Sequence, residues 1–135
     1  MNKALQIICF FISIFSHSQI DCMFNLSLID ANLEYRKIEK NKEIHFYIKN
    51  QHFLVSKSSM EIISQSDLKK INLKTINELI FLADKERKRL KTDGEKKQII
   101  TVLNNNEIFK KINLYERVNG KIIRYKNAIW IEEIS

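Results

Sequence analysis

The chain has 135 residues, of which 44% are hydrophobic, with 23 Lys and Arg against 16 Asp and Glu and a formal net charge of +7. That length suits one domain and that composition an ordinary packed core, so wholesale disorder is excluded. Two glycines and no proline rule out a glycine-rich phosphate cradle and leave the turns to Asn and Asp, which tolerate positive φ.

The first residues follow the plan of an export signal. Lys3 supplies a positive charge, Ala4 to Phe15 form an apolar run interrupted by Gln6 and Ser13, and Ser16-His17-Ser18 places small residues where a signal peptidase reads. The expectation is a cleavable signal over 1–18 and a mature single α+β domain over 19–135. The apolar run is too short for a membrane-spanning helix, which needs roughly 20 residues. Cys9 would leave with the signal, so mature Cys22 has no partner within its own chain and is expected to be buried and inert.

Beyond the signal, Met23 to Ile29, Leu33 to Glu39, Glu43 to Ile48 and Gln51 to Ser56 read as strands, separated by Asp30-Ala31-Asn32, Lys40-Asn41-Lys42 and Lys49-Asn50. If Lys49-Asn50 is a two-residue turn, Phe46 faces Phe53 and Ile44 faces Val55. The same hairpin sets His52 opposite Tyr47 and His45 opposite Leu54, making the two histidines diagonal neighbours on one face. With Glu43 as the only further ligand in view, coordination is incomplete and no metal is expected.

A short extended run, Met60 to Ser64, precedes a change of period. Leu73, Ile76, Leu79, Ile80, Ala83 and Leu90 recur at helical spacing, with Asn72 as N-cap and Gly94 just beyond the end. The apolar stripe of this helix, widened by Phe81 and Leu82, should lie against a sheet. Strands return at Gln98 to Leu103, Ile112 to Val118, Lys121 to Tyr125 and Ala128 to Ile134, with Asn104 to Lys111 a loop or one helical turn. Asn119-Gly120 marks a type I′ hairpin. It pairs Leu114 with Tyr125 and Glu116 with Ile123, a mixed pattern that predicts a sheet with one face fully covered. The fold class expected is α+β: a predominantly antiparallel sheet of short strands with one main amphipathic helix packed on it.

The most concentrated basic feature is Lys85, Arg87, Lys88, Arg89 and Lys91, a candidate anion-binding end of the helix. Interleaved Asp84, Glu86 and Asp93 and the helix dipole equally describe a solvated helix end. Tyr115, Tyr125 and Trp130 among Arg117, Lys121, Arg124 and Lys126 have the composition of a stacking platform, or of a half-exposed sheet. Nucleophile-elbow, metalloprotease and paired-Cys motifs are absent from the sequence, and Glu132 and Glu133, adjacent in a strand, point to opposite faces. No catalytic residue, metal ligand or cofactor is therefore assigned.

A short signal followed by a Lys-, Asn- and Ile-rich domain without proline resembles small exported proteins of bacteria. The resemblance implies the periplasm or the medium as destination. The leading expectation is a noncatalytic binding or interaction domain whose partner is another envelope protein or an anionic surface rather than nucleic acid. The alternatives are a peripheral binder of polyanions or membrane surfaces through the basic helix end, and a small hydrolase whose site the sequence does not display.

Overall fold

The structure is a computed structural model and describes residues 20–97 and 108–131; the signal over 1–18 and the strand expected at Gln98 to Leu103 lie outside them. Among the described residues seven strands and two α-helices follow in the order β1 (Ile20–Ser27), β2 (Tyr35–Lys40), β3 (Glu43–Ile48), β4 (Gln51–Ser56), β5 (Met60–Ile63), α1 (Gln65–Lys69), α2 (Ile76–Lys97), β6 (Phe109–Val118) and β7 (Lys121–Ile131). The fold is α+β, mostly antiparallel, with one main helix.

Strict alternation of apolar residues builds the centre of the sheet, because a strand turns every second side chain to the same face. Ile44, Phe46 and Ile48 of β3 and Phe53 and Val55 of β4 are buried, and they meet in the expected register, Phe46 opposite Phe53 and Ile44 opposite Val55. Lys49 and Asn50 both take positive φ, 46° and 65°, as a type I′ turn demands. Asn41, with φ 59°, turns the chain between β2 and β3.

The second hairpin also has the expected pairing, Leu114 with Tyr125 and Glu116 with Ile123. Its turn residues Asn119 and Gly120 have φ 52° and 78°. Open space surrounds the position a Cβ would take at Gly120, so Gly120→Ala tests backbone strain alone. It is expected to destabilise by about 1 kcal/mol, measured as a shift in the urea midpoint with unchanged slope.

The final strand is one element rather than the two expected. Ile112 faces Ala128 but Leu114 faces Tyr125, so β7 carries one extra residue there, a β-bulge. Asn127, at φ 58°, absorbs the kink, and its backbone N–H donates to Asn113 Oδ1 at 3.1 Å. An Asn in the left-handed region thus bends the strand without ending it.

The sheet order is β1-β6-β7-β4-β3-β2, with β5 also paired to β7. β1 runs parallel to β6; the other pairs are antiparallel. β4 meets one end of β7 and β5 the other, with the 3₁₀ turn Lys57–Ser59 between them. The sheet also curls. β2 and β6 lie four strand spacings apart, about 19 Å in a flat sheet, yet Tyr35 of β2 donates its hydroxyl to Glu116 of β6 at 2.5 Å.

Inside the curl, Ile76, Leu79 and Ala83 of α2 join Phe24, Leu26, Phe46, Phe53, Leu114, Tyr125 and Trp130 in the main core. A second cluster lies on the opposite face, where Leu68 of α1 and the partly buried Ile71 and Leu73 cover Ile63, Tyr115 and Ile122. Adjacent residues Leu114 and Tyr115 therefore both lie in cores. β6 is buried on both faces from Ile112 to Glu116, which corrects the expectation of a sheet covered on one face only.

The helix boundaries also differ from expectation. Asn72 is not the N-cap: Lys74 exchanges backbone bonds with β1, its N–H reaching Asn25 and its C=O accepting from Ser27, so residues 73 and 74 are held extended. The cap falls to Thr75, whose Oγ1 accepts from the Glu78 N–H at 3.1 Å while the Glu78 carboxylate turns back to Thr75, a capping box. At the other end α2 runs past Gly94 to Lys97, since a helical glycine is costly but not forbidden.

Candidate functional site

The inward alternation of β2, β3, β4 and β7 turns a second set of side chains outward. Two unbroken rows cross all four strands. One is Ile38, His45, Leu54 and Ile129; the other is Arg36, Tyr47, His52 and Ile131. Ile38 is 41% exposed and Ile129 47%, so the first row presents aliphatic surface at both ends. Cross-strand neighbours on one face are the natural unit of contact in a sheet.

The second row is a stack. The Arg36 guanidinium lies 4.8 Å from the Tyr47 ring centroid, and Tyr47 stacks on His52 with centroids 4.4 Å apart. His45 follows, its Nδ1 2.8 Å from His52 Nε2, with Glu43 Oε2 3.7 Å from the other nitrogen of the same ring. Arg36 and Tyr47 also form a wall of a groove of about 860 Å³, shared with Asn32, Lys49, Thr75 and Asn77. Lys49 Nζ donates to Asn77 Oδ1 across it at 3.0 Å.

β2 lies at the end of the sheet order, and among the described residues its second edge pairs with no strand. Its sequence, Tyr-Arg-Lys-Ile-Glu-Lys, is basic. Buried anchors hold it in place. Glu116, 3% exposed, accepts from Tyr35 at 2.5 Å, from Lys37 at 3.1 Å and from the Tyr125 hydroxyl at 2.6 Å. Burial and the adjacent carboxylate push the pKa values of Tyr35 and Tyr125 well above the usual phenol range.

The basic residues singled out from the sequence lie along α2. Lys85, Lys88 and Lys91 are exposed. Arg87 pairs with Asp84 at 3.7 Å and lies 6.0 Å from the Trp130 ring centroid. Arg89 is held by the buried Glu86 at 2.6 Å and by Asp93 at 3.1 Å, and its hydrogen bond with Glu86 raises its pKa further. The cluster is thus divided between three solvated lysines and two arginines with acidic partners on their own helix.

The stacking platform that the composition of the C-terminal strands would allow does not form. Tyr115, Tyr125 and Trp130 are all at least 97% buried: Tyr115 donates to Asn25 at 2.9 Å and Trp130 Nε1 to Gln51 at 3.0 Å. Arg124, their exposed-looking neighbour in sequence, is paired with Glu61. The histidines do converge as expected. In the sheet order β6 and β7 separate β1, which carries Cys22, from β4.

No group of three potential metal ligands occurs among the described residues, and no described helix is long and apolar enough to cross a membrane. Compared with protein-family models, curated proteins and solved structures, the chain matches none of them.

Proposed function

We propose that the chain is a noncatalytic binding domain acting outside the cytoplasm, and that it takes an acidic, extended segment of a partner protein along β2 and the outer face beside it. The observation that carries this reading is the combination of an edge strand rich in cations with two four-strand rows of apolar and aromatic side chains. An added strand would pair its backbone with β2 and rest alternate side chains near Ile38 and Arg36. Charge selects the occupant. A second copy would set Arg36 and Lys40 against the same cations, a repulsion that edge cations commonly supply, whereas a carboxylate-bearing strand is attracted. Export rests on the pattern of the first 18 residues.

The test uses a fluorescent extended peptide alternating Glu with Val and the same peptide with Lys in place of Glu. Expected are binding of the acidic peptide alone, weakening as salt rises, and at least about a tenfold loss in Arg36→Glu combined with Ile38→Lys. Unchanged affinity in that variant, with loss instead in Lys85→Glu combined with Lys88→Glu, would transfer binding to the basic end of α2.

A further inference from the structure

We infer that His45 and His52 form a two-nitrogen site for a divalent transition metal of square-planar or octahedral preference, copper(II) or nickel(II). The two histidines lie within the outer-face rows that also carry the peptide reading, but the metal site needs no peptide partner. Its basis is the diagonal placement of the two rings, which the register of the β3–β4 hairpin imposes. His45 Nδ1 and His52 Nε2 face each other at 2.8 Å, and both side chains are half-buried on the sheet surface.

Separation distinguishes the metals. With metal–nitrogen bonds of about 2.05 Å, neighbouring ligands at a right angle lie about 2.9 Å apart, and tetrahedral ligands about 3.3 Å apart. The 2.8 Å separation of the two nitrogens is that of a hydrogen bond between the rings and lies nearer the right-angle value than the tetrahedral one. A tetrahedral zinc(II) ion would need the two nitrogens about 0.5 Å further apart.

The rings are also held for the task. Tyr47 stacks on His52 at 4.4 Å and lies nearly parallel to His45 with centroids 6.5 Å apart, and Arg36 covers the far side of Tyr47. Glu43 Oε2 stands 3.7 Å from Nε2 of His45, beyond hydrogen-bond distance but beside the nitrogen that keeps its proton when Nδ1 binds a metal. A carboxylate on the distal N–H of a ligating imidazole fixes ring and tautomer and strengthens the ligand. For both rings to ligate, the hydrogen now between them must move to the distal nitrogen of its own ring, so that each imidazole binds as a neutral ligand. Among the described residues no third ligating side chain joins the two histidines, and the other positions on the ion can take water or donors from a ligand.

The experiment titrates the full chain with copper(II), nickel(II) and zinc(II) separately. One copper(II) per chain is expected, with two nitrogen couplings in its paramagnetic resonance spectrum and nickel(II) bound more tightly than zinc(II). On the unmodified protein, copper(II) should first broaden the amide signals of residues 45–47 and 52–54. His45→Gln and His52→Gln should each weaken copper(II) binding at least about tenfold, and Glu43→Gln by about tenfold. His17→Gln should leave it unchanged. Copper(II) affinity retained in the double histidine variant, broadening confined to other residues, or zinc(II) preferred over nickel(II) would overturn the inference.

Discussion

Glu116→Ala is expected to cost about 3–5 kcal/mol of folding stability, because it removes one member of a buried charge network and leaves the others unpaired. The carboxylate receives two phenols and an ammonium group, and its own side chain is 5% exposed. Glu116→Gln keeps an acceptor but loses the charge, so its cost should be smaller, about 1–3 kcal/mol. Urea unfolding of the two variants checks the order; equal losses below about 1 kcal/mol would show that the network contributes little.

The same network makes the fold sensitive to alkali. Tyr35 and Tyr125 have folded-state pKa values raised above the unfolded value, chiefly by burial and then by Glu116. Stability from keeping these phenols protonated is complete below about pH 10, the unfolded tyrosine value, and is lost as pH rises from there through the folded values. Two phenols should therefore resist ionisation until the protein unfolds. Ultraviolet titration of Tyr35→Phe and Tyr125→Phe identifies them.

Phe46→Ala should cost a further about 3–5 kcal/mol, through lost burial and the cavity left behind. Phe46 is fully buried, packs edge-on to Tyr125 at 5.0 Å and lies 6.3 Å from Tyr35. It holds in place the two rings that serve Glu116. Because the sites share those partners, the double variant Phe46→Ala/Glu116→Ala should fall short of additivity by about 0.5–3 kcal/mol. Strict additivity would mean that the aromatic contacts and the polar network stabilise β2 independently.

Local rules were enough to find what local rules control. The Lys49-Asn50 and Asn119-Gly120 turns each fix a register, so Phe46 opposite Phe53 and Leu114 opposite Tyr125 followed from the sequence. Diagonal placement of His45 and His52 followed from the same turn. Long-range pairing was not legible. Nothing near Cys22 or Ile112 signals that β1 lies parallel to β6, or that β4 and β5 share β7, and without that order the rows ending in Ile129 and Ile131 could not be drawn. Glu116 was also hidden, since a glutamate opposite Ile123 reads as a solvent-facing residue until the curl brings Tyr35 and Lys37 to it. Tyr115 and Trp130 misled for the related reason that their hydroxyl and indole N–H groups find partners in Asn25 and Gln51, which lets aromatic residues flanked by cations sink into the core.

Amide exchange of the full chain with and without the Glu–Val peptide tests the binding reading most directly. Protection gained along Tyr35–Lys40, with smaller changes on the outer residues of β3 and β4, is the result predicted for a strand added at the β2 edge. Protection gained only along residues 85–91 of α2 would contradict it and move the binding surface to the basic helix end.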